Sequence, residues 1–451
     1  MTEAVIERRR LRGLMEREAT RFLDEHSRSR ELFERARGSL LAGVPMHWMT
    51  EWAGAYPVFV REARGARFVD VDGHEYVEFC LGDTGAMAGH SPPSVADAVA
   101  DQVRRGITVM LPSEDAVWCG EELARRFGLP SWQFALTATD ANRFTIRLAR
   151  EITSRSKILV HSWCYHGSVD ATFVVLENGA LRLRPHTIGP PVEPAVTTRA
   201  VEINALDALE RELAYGDVAC VLIEPALTNI GIVLPEPGYH EALRDLTKRH
   251  GTLLVIDETH TICAGPGGYT SAHDLEPDFL TIGKTIGGGI PAAAYGFSAT
   301  VRDRILAAMP PQTDGGGIGG TLAGNVLSLA AIRATLDNVL TDEAFARMIS
   351  LGERFEAGVA GIVAEHALPW SVTRLGCRVE YWPRPERART GADAAGAADA
   401  ELDRFLHLFA LNRGVLMTPF HNMALMCPDT TEADVDRHSE VFADAVSELT
   451  V

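Results

Sequence analysis

Hydrophobic positions change their spacing twice along this chain, and each change marks a different kind of structure. Through residues 1–40, apolar side chains recur at helical intervals among many charges ("MTEAVIERRRLRGLMEREATRFLDEH"), which predicts a charged amphipathic helix. Next, "YPVFVREARGARFVDVDGHEYVEFC" alternates apolar and polar residues around an Asp-Gly pair, the pattern of strand, turn and strand. From about residue 90 helix-length stretches alternate with short apolar runs: "KILVHSW", "VACVLIEPA", "GTLLVIDET" and "DFLTIGK". Runs of this kind, set between helix patterns such as "GYHEALRDLTKRHG", predict an α/β fold with a mostly parallel sheet flanked by helices. Near residue 330 a long helix pattern opens ("NVLSLAAIRATLDNVL"), and a smaller α+β section follows. Within it the Ala/Gly/Asp-rich stretch "TGADAAGAADA" at 390–400 reads as a flexible surface loop. The expected division is a large sheet domain at 76–328 and a smaller α+β domain formed by an N-terminal segment at 1–75 together with residues 329–451.

Composition excludes several classes. With 46% hydrophobic and 23% charged residues in 451, the chain is ordinary for a globular protein with a large core. No run of about 18 apolar residues is present to span a membrane, and the charged N-terminus has no apolar leader segment. A cytoplasmic location is the expectation. The net charge of −18 argues against nucleic acid as a partner. Seven scattered cysteines without metal-ligand spacing read as reduced thiols, with no metal site.

Of 43 Lys and Arg residues only three are lysines, Lys157, Lys248 and Lys284. The last sits in "TIGKTIGGGIP", among apolar residues and glycines, where a surface charge is out of place. Open α/β sheets bind ligands beyond the carboxyl ends of their strands. The residues after each apolar run are therefore the candidates: Asp257, Glu258, Thr259 and His260 after "LLVI"; Lys284 after "FLTIG"; Glu224 after "CVLI"; and Cys164, Tyr165, His166 and Gly167 after "KILVHSW". A phosphate loop ending in "GKT" would need glycine at 278, where Asp278 stands. The glycine-rich "DGGGIGG" at 314–320 does not open a strand–helix unit, so a dinucleotide site is not indicated either. A half-buried lysine has a lowered pKa and can attack carbonyls as an amine. Together with a strand-end carboxylate it suits pyridoxal phosphate, which takes a lysine at its aldehyde and an acid at its ring nitrogen. "ALTATDANRFTIRLAR" supplies a helix start, at Thr137 to Asp140, suited to the phosphate.

These segments resemble the class III, fold type I pyridoxal-phosphate aminotransferases, in particular the branch of glutamate-1-semialdehyde aminomutase and the aromatic β-amino acid aminotransferases. "TIGKTIGGGIPAAAYG" is similar to the family's Schiff-base motif, and the likeness runs from "GARFVDVDGHEYVEF" to "GVLMTPF…TTEADVDRH". The resemblance implies a large domain with a seven-stranded sheet, and it implies roles for individual residues. Lys284 would bind the cofactor and move the proton. Asp257 would pair with the ring nitrogen, and Tyr165 would stack on the ring. Ala138 and Thr139 would hold the phosphate, and Thr321 would reach the phosphate of a second subunit in a homodimer. Asn229 would meet the ring hydroxyl, with Glu224 before it in a Glu-Pro pair and His260 at the same ring edge or one shell behind.

The chain also departs from the pattern. Thr259 and His260 stand where Val and then Met or Gln are usual, and Asp140 where Glu is usual. The substrate stretches "LLAGVPMHWMTEW" and "MTPFHNMALM" lack the family's carboxylate-binding arginines, and the aminomutase branch's Phe-Glu-Ala-Gly is missing. Those absences count against simple glutamate-1-semialdehyde chemistry and against a β-phenylalanine site. They leave an aromatic pocket of Met46, Trp48, Trp52 and Phe420, or a carboxylate met by Arg378 or Arg143. The implied activity is transfer of an amino group from an amine or amino acid to a keto acid, aldehyde or ketone. The alternatives are an aminomutase, epimerase or decarboxylase on the same cofactor, and a scaffold that has kept only the fold.

Overall fold

A computed structural model describes residues 6–189, 192–309 and 316–450. It forms two compact units, one of Met1–Pro92, Ala346–Arg387 and Ala397–Val451, the other of Pro93–Phe345 and Ala388–Gly396. These bounds fall elsewhere than the expected 1–75, 76–328 and 329–451. The hairpin strand at residues 75–78 joins the first unit, and the helix Val326–Asn338 stays with the second.

The second unit is built on a seven-stranded sheet. Its strands are β1 (Ser131–Ala135), β2 (Lys157–His161), β3 (Thr198–Val201), β4 (Val218–Ile223), β5 (Leu253–Asp257), β6 (Phe279–Ile282) and β7 (Ala293–Phe297). They lie in the order β1-β7-β6-β5-β4-β2-β3, with β7 antiparallel to both neighbours and the other pairs parallel. Strands β4 to β7 are buried at every position, as burial on both faces requires. The apolar runs of the sequence thus become strands, and the chemistry after each run gathers at one edge. Behind the glycine run, Gly288 (φ 56) packs so closely on the helix Val326–Asn338 that a Cβ there would lie 2.6 Å from Thr335 Oγ1. Only glycine fits that approach. The stretch 390–400 is not a loop. Its alanines, the best helix formers, make the turns Gly391–Ala397, tied by the Gly391 amide to Glu202 at 2.9 Å.

The first unit carries a four-stranded sheet, Val60–Arg64, Arg67–Asp70, Glu75–Glu78 and Val415–Leu416, and a three-stranded antiparallel one, Ser371–Leu375, Arg378–Trp382 and Met423–Leu425. "YPVFVREARGARFVDVDGHEYVEF" therefore holds three strands rather than two, because Gly65 makes a second turn. The N-terminal helix is also two, Arg8–Glu25 and Ser27–Ala36. His26 leaves helical geometry between them, its ring buried against Phe22 O (2.9 Å) and Tyr76 Oη (2.8 Å). Among the described residues no disulfide forms, and no helix is long and apolar enough to cross a membrane.

Candidate active site

Five strands of the second unit deliver polar residues to the carboxyl edge of the sheet. Asp257 ends β5 and is buried. Its Oδ1 accepts the Thr259 amide (3.0 Å), and its Oδ2 accepts Asn142 Nδ2 (2.8 Å) and meets His166 Nδ1 (2.9 Å). Asn142 is held in turn by Thr281 Oγ1 on β6, which donates to its Oδ1 at 2.7 Å. Burial alone would raise the Asp257 carboxyl, but the hydrogen bond and charge of His166 outweigh it and hold the group below the usual carboxylate range. Burial likewise disfavours a charge on His166, yet the neighbouring Cys164 and Asp257 raise it well above its ordinary value. The result is a buried carboxylate kept ionised. Of about four lone-pair positions on a carboxylate it uses three.

Lys284 follows β6 in a left-handed conformation (φ 52), heading the turn Lys284–Gly287. Its Nζ lies 2.6 Å from Nε2 of His260, which caps the turn Thr261–Ala264 after β5. Asp278, whose side chain excludes a phosphate loop, instead joins Arg244 (2.7 Å) and the Leu254 amide (2.9 Å).

Beyond β1, Thr137 caps the helix Ala138–Thr153. Its hydroxyl accepts the Asp140 amide (3.1 Å) and donates to Asp140 Oδ2 (3.0 Å), so the Asp at 140 completes a local cap. The first-turn amides, including Ala138 and Thr139, have no acceptor inside the helix and suit an anion. Gly167 (φ 75) lies so close to this turn that a Cβ would sit 2.1 Å from Thr139 Oγ1, which accepts the Ser168 amide at 3.0 Å. The Thr139 hydroxyl proton is still available to donate.

Tyr165 presents a half-exposed ring after β2. Its amide is fixed by Glu224 Oε1 (3.1 Å), while Glu224 Oε2 accepts the Thr228 amide (3.0 Å) and hydroxyl (2.6 Å). Burial pushes the Glu224 carboxyl upward. Glu224 therefore joins the loop carrying Tyr165 to its own turn at Thr228. Asn229 Oδ1 accepts Arg184 Nη2 (3.0 Å), so the carbonyl end of that side chain is already engaged. Thr321 is exposed, lining a cleft with Met110, Leu111 and Asn325. In the first unit the rings of Trp48 and Phe420 meet edge-on at 5.4 Å, and Trp48 and Trp52 lie 6.2 Å apart. Trp52 also packs on that unit's core, and Met46 and Phe420 are exposed. Arg378 is fully buried, bound to Thr84 Oγ1 and, at 2.8 Å, to Met423 Sδ; Arg143 donates to Ser168 O at 2.5 Å. Asp314 and Gly315 of the glycine-rich run lie outside the described residues. Asn142 was not singled out from the sequence, and His166 stood only among the residues after "KILVHSW", with no role assigned to it. A polar Asn on the buried face of an amphipathic helix is the signal that was there to find.

A lysine, an ionised buried carboxylate, a half-exposed aromatic ring and a helix start, all at one sheet edge, fit pyridoxal phosphate. They define a fold type I enzyme that uses this cofactor. The aminotransferase class-III family model matches residues 48–446, and the chain belongs to that family. Glutamate-1-semialdehyde 2,1-aminomutase of Opitutus terrae is 34% identical over 429 residues, covering 93% of this chain and 99% of that one. A glutamate-1-semialdehyde-aminomutase from Pseudomonas aeruginosa PAO1, solved as a lysine-to-alanine form in complex with PMP, is 50% identical with a TM-score of 0.96, over 98% of this chain and 99% of its own. An omega-transaminase from Sphaerobacter thermophilus is 28% identical with a TM-score of 0.85, over 93% and 97%.

Proposed function

We propose that the enzyme moves an amino group within one substrate, as an aminomutase, which reverses the order of the two activities inferred from sequence. The observation that carries this is the match, at 50% identity over nearly both full lengths, to a protein described as an aminomutase. When bound, pyridoxal phosphate supplies an aldehyde carbon and an electron-withdrawing ring. Lys284 would hold it at its aldehyde carbon, and its Nζ would carry a proton to and from the substrate carbon. Asp257, kept anionic by His166 and Asn142, holds the proton on the ring nitrogen through its remaining lone pair. Ala138 and Thr139 bind the phosphate through the helix start, with Thr139 Oγ1 as a hydroxyl donor. Tyr165 covers one face of the ring, set in place by Glu224, and Asn229 meets the ring hydroxyl through its amide nitrogen. Thr321 serves the phosphate of a second subunit. Support for that homodimer comes from Met110, Leu111 and Leu322, large apolar side chains exposed around it.

A transaminase is the second reading, favoured by the aromatic cluster of Trp48, Trp52 and Phe420 in place of the missing arginines. One experiment separates them. The purified holoenzyme is given glutamate-1-semialdehyde carrying 15N, without any keto acid, and mass spectrometry follows the isomer with its amino group on carbon 1. Product formed catalytically, in many equivalents per site, establishes the aminomutase. Conversion that stops after one equivalent unless a carbonyl acceptor is added establishes the transaminase.

A further inference from the structure

The contact between His260 and Lys284 has no part in the chemistry above. Its two ends are held by anchored backbone. His260 heads a turn that Glu258 ties down, accepting Thr261 Oγ1 (2.6 Å) and the amides of Tyr269 (3.1 Å) and Thr270 (2.5 Å). Gly268 crowds the same carboxylate, since a Cβ there would lie 2.4 Å from Glu258 Oε2. On the other side, Lys284 is set in its left-handed conformation, and Gly283 before it packs on the amide of Ala138, 3.1 Å from where a Cβ would be. Rigid elements thus bring two basic nitrogens to 2.6 Å.

An ammonium only donates hydrogen bonds, whereas an amine also accepts them. Imidazole Nε2 accepts when bare and donates when protonated. His260 can therefore stay bonded to Lys284 in either protonation state of the lysine, provided that the proton crosses between them. Methionine has no such capacity, and the amide of glutamine cannot take up a proton. We propose that His260 is the proton partner of Lys284. When the lysine must attack as an amine, the Nζ–H bond breaks, the electron pair stays on Nζ, and an Nε2–H bond forms. The reverse transfer restores the ammonium. This rests on Lys284 being the cofactor lysine, but the hydrogen bond exists without cofactor and is tested there.

The chain's three lysines make the test internal. Cofactor-free protein is acylated briefly at neutral pH, and peptide mass spectrometry reads the label on Lys284 relative to exposed Lys248. His260→Met and His260→Gln should each lower that ratio about tenfold, by removing the group that takes the proton from the amine. An unchanged ratio in both, or a ratio restored in the Gln variant, overturns the proposal. Lys157 reports on folding, because its label rises if a variant opens. If it does, wild-type protein and Lys284→Met are compared by 15N NMR of labelled histidines. A histidine signal that changes protonation on loss of Nζ supports the proposal, and a spectrum in which none moves overturns it. Failure of the parent assignment looks different: pyridoxal phosphate would then neither protect wild-type Lys284 from acylation nor produce a visible absorption band.

Discussion

Asp257 and Asp70 each close a β-strand, each is buried, and each takes the amide two residues on and a histidine ring nitrogen on its oxygens. Their remaining partners differ. Asp70 accepts the amides of Asp72 and His74 (2.9 Å each), the Tyr76 hydroxyl (2.8 Å) and His74 Nδ1 (3.2 Å), all from the next six residues. Asp257 draws Asn142 and His166 from 115 and 91 residues away. Four partners fill the lone pairs of Asp70, and three leave one open on Asp257. A second histidine near Asp70, His26, has its Nε2 3.7 Å from Oδ2 and is pulled below its ordinary pKa by burial, whereas His166, bonded to Asp257, is raised. A carboxylate closed by its own turn shapes a hairpin. One held by distant segments, with a lone pair spare, is prepared for a ligand.

Substitution should separate the two. Asp257→Ala is expected to lower turnover by two to three orders of magnitude, as loss of a single buried electrostatic group does. Asp70→Ala should leave turnover per folded molecule unchanged and cost about 3 kcal/mol in urea unfolding, the penalty of emptying a filled network. Equal catalytic losses in both would erase the distinction.

The charge on His166 can be tested through pH. A group with a raised folded pKa stabilises below its unfolded value and loses that contribution as pH climbs through the raised one, and the lowered Asp257 does the reverse in acid. Relative to His166→Gln, wild type should therefore be more stable by about 2 kcal/mol near pH 6, with the gap narrowing at both extremes. A third aspartate, half-buried, sharpens the series. Asp403 has one side-chain hydrogen bond, from Asn422 Nδ2 at 2.6 Å, and burial pushes it up to about 6. It binds its proton more tightly folded than unfolded, so stability should decline by on the order of 1 to 2 kcal/mol as pH rises from about 4 through 6. Asp403→Asn should abolish that decline in thermal melts across the range.

Much of the sheet and its chemical edge was legible in the sequence, because runs buried on both faces have an unmistakable composition and each ends in a polar residue. Asp257, Lys284 and Tyr165 stood out for that reason. Asn142 did not, and His166 was marked only by its place after a strand, because the value of both comes from meeting Asp257, and one-dimensional spacing carries no such information. The Lys284–His260 contact was hidden likewise, although His260 was marked as unusual. Local errors have local causes. His26 interrupts a helix whose apolar rhythm continues past it, Gly65 turns a strand that still alternates, and alanines at 390–400 form a helix despite the glycines among them.

The backbone at Lys284 has a consequence for engineering. A lysine at φ 52 is held against its own preference by roughly 1–2 kcal/mol, a penalty glycine would escape. Lys284→Gly should therefore melt no lower than wild-type apoprotein, and the contrast to measure beside it is Lys284→Ala, which keeps the strain. Selection for thermal stability alone would favour losing this lysine, so any stabilisation campaign has to screen for retained cofactor attachment alongside melting temperature.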